Sequence, residues 1–473
     1  GGTATLSGDV DVTTLTVGNT VANLAFTGNG SSVANSFTPD NDGTFIFGAS
    51  GGTQTYNGAL NTNSVDGTVT LNGTIATSND GIIFGAVTLG SATTVDTNAT
   101  SNGADITFNG AITGGSNNLT LSTGNNIAGA DILSKVAISG LGNLILADVG
   151  GTATFNANIA AAAFTTNNTV ASINLKGASN TFTGSTIFAN DGTLTIGDAS
   201  SDSFAFNGGL STTSVGGTVT LNASSISSSN DAIAFGAVTL GSNVTIDTNA
   251  TSTAGDINIG AVTGGSNTLT LSTGNNIANS DVTASGAISG VTTLTLIDVG
   301  GIASFAADVD VTTLTIGNTV ANVSLTGSGS SVTNAVTFGN DGTLTIGDAS
   351  GDSFTFDGGL TVSTASSTLA GSIDSSNDVI SFGAITLAAA TTIDTNASNT
   401  TGDITIGAVT GNNNNLTLDT ISTSGNASHT FTGDINLGSG ALDVDGDVVL
   451  GANVTVTATP GSGTGIRFRD AIN

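Results

Sequence analysis

One phrase, NDGTLTIGDASSDSFAFNGGL at residues 190–210, returns nearly unchanged at 340–360 as NDGTLTIGDASGDSFTFDGGL and more loosely at 41–60 as NDGTFIFGASGGTQTYNGAL. The three copies start about 150 residues apart, and other phrases keep the same pitch. DVDVTTLTVGNTVAN at 9–23 returns at 308–322 with one change, and LTLSTGNNI at 119–127 returns at 269–277. Paired glycines open each stretch at Gly1, Gly150 and Gly300. These phrases divide the chain into repeat units at 1–149, 150–299 and 300–420, followed by divergent coils at 421–473. A short unit that recurs like this cannot bury its own apolar face, so stacking must bury it.

Inside the phrase the residues alternate. Leu194 and Ile196 fall on one face of a strand and Thr193 and Thr195 on the other, while Phe204 and Phe206 share a face. Each run lasts four to six residues and closes on Gly, Asn or Asp. The first copy lacks the residue corresponding to Asp198, yet the flanking strands keep their pattern. Turns absorb such changes, whereas a slip inside a strand would turn its core face outward. The composition agrees. All 34 acidic residues are Asp, and Glu, Met and Trp are absent. Straight-chain helix formers are therefore nearly missing, while Thr, Val, Ile and Phe favour strands. The expected fold is all-β, an elongated parallel β-solenoid built from these three repeats, with a turn every 20–25 residues or so. At ~4.8 Å per turn, about 20 turns would give a rod of roughly 100 Å, with Asn, Ser and Thr forming ladders at equivalent turns. A string of β-sandwiches is the rival, but it would show more hairpin signals and large aromatics. This chain has one Tyr and no Trp.

The formal net charge is −30 against four cations, Lys135, Lys176, Arg467 and Arg469. Phosphate binding needs Lys and Arg, so neither nucleic acid nor an anionic membrane is an expected partner. Divalent cations are attracted instead. No apolar run is long enough to insert into a membrane as a helix. With neither Met at position 1 nor a signal peptide, the chain reads as a processed or excised piece of something longer.

Four groups of residues invite a functional reading. Asp198, Asp202, Asp348 and Asp352 occupy matching turns and are candidate calcium ligands, since stacked carboxylates could share the ion between coils. Asp443, Asp445 and Asp447 resemble the start of a calcium loop, but Val448 and Val454 stand where an EF-hand needs Gly and Glu, so a strand edge is the plainer account. Arg467 and Arg469 flank Phe468, and half of all cations lie in the last seven residues. They suggest an end-to-end contact with the acidic start at Asp9 and Asp11, against the alternative of a chance pair with Phe468 in the core. Thr-x-Thr runs such as 14–16 and 193–195 read as solvated strand faces, although a flat threonine face can bind ice. Sequons at Asn98, Asn249 and Asn396 read as turn residues before glycosylation sites. His429, the single histidine, is expected in a surface turn. No strand–elbow–helix motif surrounds any Ser, and no Asp pair stands apart from the repeated background, so no catalytic residues are assigned.

The phrases GDINIG at 255–260 and LTLSTG at 269–274 resemble the repetitive passengers of filamentous haemagglutinins and autotransporter adhesins. The resemblance spans nearly the whole chain. It implies a parallel β-helix exported across a bacterial envelope and displayed at the cell surface, with possible glycan or cell-surface ligands. The secretion domain and translocator barrel of those families are not in this segment. The expected function is a non-enzymatic extracellular one, as an adhesin stalk or a self-assembling fibre or surface-layer subunit. The alternative is a carbohydrate-active β-helix enzyme.

Overall fold

The structure, a computed structural model, describes residues 2–252, 255–363, 366–397, 401–420 and 427–473. The chain forms two compact units. One comprises Gly1–Ser229 with Ala234–Gly236, the other Asn230–Ile233 with Ala237–Asn473. Each unit is a parallel β-solenoid, and no described residue is helical. The two units together run through about 21 turns. Their junction near residue 230 falls inside the second sequence repeat.

A turn of the coil contributes up to three short strands. In the first unit, Phe45–Phe47, Thr53–Tyr56 and Leu60–Asn61 make one such turn. Each pairs in parallel with the matching strand of the next turn, and the pairing keeps like faces together. Leu24 lies beside Phe45, Phe45 beside Val69, Val69 beside Val87, Val87 beside Ile112, and Ile112 beside Ile138. A second inward row runs Phe26, Phe47, Leu71 and Leu89. All of these side chains are buried. The residues between them, such as Thr70 and Thr88, face solvent. The second unit repeats the logic with Leu269, Leu294 and Leu314 in one row. A buried apolar side chain contributes about 1.5–3 kcal/mol relative to exposure. Rows of them, with the parallel backbone hydrogen bonds, hold a coil to its neighbours.

Aromatic rings cluster in part of this core. Phe45 and Phe47 stack with centroids 4.0 Å apart, and Phe26, Phe37 and Tyr56 pack around them. Tyr56 is fully enclosed, its hydroxyl has no partner among the described residues, and burial pushes that hydroxyl well above its ordinary pKa.

Corners need special backbone. Strands Ile138–Ala147 and Ile288–Ile297 each turn a corner at a register shift, next to Gly140 at φ +63° and Gly290 at φ +65°. A side chain would be strained there. Elsewhere Asn supplies the left-handed turn residue: Asn79, Asn230 and Asn377 in one family of turns, Asn98, Asn249 and Asn396 in another.

Replacing Phe47 with Ala should remove about 3–5 kcal/mol of stability. Denaturant unfolding would read this as a lower midpoint with the slope unchanged.

Candidate functional site

The acidic side chains come first, because there are so many of them. Asp105 Oδ1 accepts the backbone N–H of Asp131 at 2.9 Å, and Asp131 Oδ1 accepts that of Thr152 at 2.7 Å. The second unit has the same relay, from Asp256 to Asp281 at 3.0 Å and from Asp281 to Ile302 at 2.7 Å. Asp9 and Asp308 each accept the N–H of a glycine 21 residues on, Gly30 and Gly329, both at 2.8 Å. Neutral Asn does this too: Asn118 accepts from Asn143 and Asn158 from Ser179. In every case a short side chain in one coil reaches a backbone donor in the next. Asp and Asn have that reach beside a turn, a role that suits Asp at these positions.

Asp202 and Asp352 are buried and work inside their own turns. Asp202 Oδ2 accepts the N–H groups of Asp198 and Ala199 at 2.9 and 3.0 Å, and Asp352 Oδ2 does the same for Asp348 and Ala349, both at 2.9 Å. The carboxylates of Asp198 and Asp348 are exposed. Among the described residues no three carboxylate or imidazole groups gather where they could hold a metal ion.

Asp443 and Asp445 lie on the strand Leu442–Asp445, paired with Ile466–Phe468. Arg469 grips both. Its Nε and Nη2 donate to the two oxygens of Asp443 at 3.0 and 2.6 Å, and its Nη1 donates to Asp445 Oδ2 at 2.8 Å. Arg467 stands 3.9 Å from Asp443. The guanidinium thus occupies the place between the carboxylates, holding the Asp443 carboxyl below its usual range and raising its own pKa. Asp447 accepts the N–H of Ala471. Phe468 is half-buried, its ring 6.5 Å from that of Phe431. Asp11, exposed on a two-residue strand, pairs with Ser32.

Register reveals what spacing concealed. Asp374, Asp394, Asp419 and Asp445 lie side by side on four consecutive turns. Burial raises the pKa of Asp374 and Asp394, and the neighbouring carboxylates add to the effect at Asp394.

His429 corrects the sequence reading. It is not in a surface turn but on the strand Ser428–Phe431, fully buried. The signal was present: His429 and Phe431 are two apart, so an inward Phe431 puts the imidazole inward as well. The asparagines of two sequons donate to the backbone, Asn98 to Thr77 and Asn396 to Ser375; Ser398 of the last sequon and Asn426 before His429 lie outside the described residues.

Two open grooves sit at sequence-equivalent corners, one in each unit. The first, of about 480 Å³, is lined by Gly140, Leu141, the alanines at 160–162 and Thr181. The second, of about 310 Å³, has Gly290, Val291, Asp310, Thr312 and Ser331 at those positions. Asp310 is the one acidic or basic side chain in either lining, and its pKa is raised by burial and then by the charge of Asp308. A lone carboxylate can donate or accept one proton; glycosidic bond hydrolysis uses two.

Comparisons with protein-family models, with curated proteins and with solved structures each found no match.

Asp131→Ala should cost about 0.5–1.5 kcal/mol, Asp131→Asn should stay near wild type, and Asp131→Glu should behave like the Ala variant. Urea titration of the three variants measures the order.

Proposed function

We propose that the protein is a non-enzymatic structural protein of the bacterial cell surface, a stiff β-solenoid serving as an adhesin stalk or as the subunit of a fibre or surface layer. The observation that carries this reading is the use of the outward polar side chains. Many of the carboxylates and amides that might have formed a site instead accept backbone N–H groups of the next coil. The resemblance to filamentous haemagglutinin and autotransporter passengers points the same way. Self-association or continuation in a longer chain, with a glycan or other cell-surface ligand, belongs to this proposal. Calcium belongs to it as well, held between molecules by exposed turn carboxylates such as Asp198 in one unit and, separately, Asp348 in the other.

A second reading, a carbohydrate-active enzyme, has one observation in its favour. Asp310 lies in an open groove, a place from which a carboxyl can reach a bound substrate, and its pKa is shifted upward.

Negative-stain electron microscopy in calcium and in chelator separates the structural readings, and a reducing-end assay on acidic and neutral polysaccharides tests the enzymatic one. The structural proposal expects elongated particles, filaments or sheets and no new reducing ends. Compact particles would refute it. Polysaccharide cleavage that is lost in Asp310→Asn would replace it with the enzyme. Filaments that dissolve in chelator would assign the calcium.

A further inference from the structure

His429 sits in the inward row of its strand, between Ile404 of the preceding turn and Val448 of the following one. Its Nε2 lies 3.0 Å from the carbonyl oxygen of Asp445 and 3.2 Å from Thr420 Oγ1. A carbonyl only accepts, so the ring proton is on Nε2. Nδ1 is then a bare lone pair, and it has no partner among the described residues. Gly446 closes one side: a Cβ built there would stand 2.9 Å from Nε2. A second ring proton would therefore place an unmatched N–H and a charge inside an apolar stack.

The charged groups around the ring come from each element packed on it. Asp403, in the turn before, accepts the N–H and hydroxyl of Ser428. Asp419 lies beside Asp445 in register, and Asp447 beside Ser428. Arg469 neutralises part of Asp445. The carboxylates Asp419, Asp445 and Asp403 favour an imidazolium, as does the bond to the Asp445 carbonyl, but burial opposes it and dominates, holding His429 below its ordinary 6.5.

We propose that the coils around His429 form an acid-labile element, which opens at mildly acidic pH before the rest of its unit and bares the strand edges of Ile404–Ile406 and Asp447–Leu450. The direction follows from linkage. The folded state binds the imidazole proton less tightly than the unfolded state does. The stabilisation is complete above 6.5 and is lost as pH falls through the depressed folded value. Asp310, Asp374 and Asp394 act in the opposite sense, since their raised values favour the folded state as pH falls into the carboxylate range. The histidine effect sets in below 6.5, whereas Asp443, held low by Arg469, loses its stabilisation only below the ordinary carboxylate value. Bared edges are competent to pair with other strands, so the element would couple pH to association.

Hydrogen–deuterium exchange on the whole chain tests this at about pH 7 and about pH 5.5, corrected for intrinsic exchange, on wild type, His429→Leu and His429→Gln. In wild type, protection of Ile404–Ile406, Ser428–Phe431 and Asp447–Leu450 should fall by up to about tenfold per pH unit, while Thr268–Ser272 stays protected. Both variants should lose the pH response. The Gln variant retains an amide N–H for the Asp445 carbonyl and decides the matter if the Leu variant does not fold. A wild-type response that survives in a folded variant, or that appears equally in Thr268–Ser272, overturns the proposal.

Discussion

Everything in each unit depends on one constraint: successive turns must pair in parallel with the same residues facing inward. A strand here is too short to be stable alone, and its apolar face is covered by the other strands of its own turn and by the turns on either side. Register therefore does the work that long-range packing does in a globular domain. Where Phe45 lies beside Val69 and Val69 beside Val87, each buried side chain is placed by its neighbours. The hydrogen bonds from Asp and Asn to the next turn's backbone act on the same register from outside. Asp105 to Asp131 to Thr152 is one such chain across three turns.

This division of labour gives the −30 charge a structural meaning. In many turns the carboxylate accepts a backbone N–H of its own or the next turn, so much of the negative charge comes with the fold. The exception is the stack Asp374, Asp394, Asp419 and Asp445, where register brings like charges together. There the cost is met in two ways. Burial raises the pKa of Asp374, burial and then repulsion raise that of Asp394, and Arg469 neutralises the last rung together with Asp443. The same few turns enclose His429, so opposite responses to acid lie close together in one part of one unit.

The β-solenoid class was legible in the sequence because period-2 alternation and repeated turn residues are local signals. Leu194, Ile196, Phe204 and Phe206 all face inward as their spacing implies. What stayed hidden depends on which residue of one turn meets which residue of the next. Turn length varies: Val10 bonds to Ser31, 21 residues on, whereas Asp131 bonds to Asp105, 26 residues back. Without the register, neither the aspartate stack nor the grip of Arg469 on Asp443 and Asp445 can be read from spacing. His429 was misplaced for a different reason. A polar residue among Ser and Thr looks like a turn, and the alternation with Phe431 that places it inward was outweighed by composition.

The register itself is the central claim, and cysteine cross-linking tests it most directly because the natural chain has no cysteine. Thr154 and Asn174 lie side by side, both facing outward. Neighbouring strands stand about 4.8 Å apart, within the roughly 4.4–6.8 Å that a disulfide spans between Cα atoms. The double variant Thr154→Cys with Asn174→Cys should oxidise rapidly to a single intramolecular disulfide. Thr154→Cys with Ile173→Cys, one residue out of register and on the opposite face, should remain reduced in the folded protein. Equal oxidation of the two pairs, or oxidation of the second alone, would contradict the stacked parallel register on which the whole account rests.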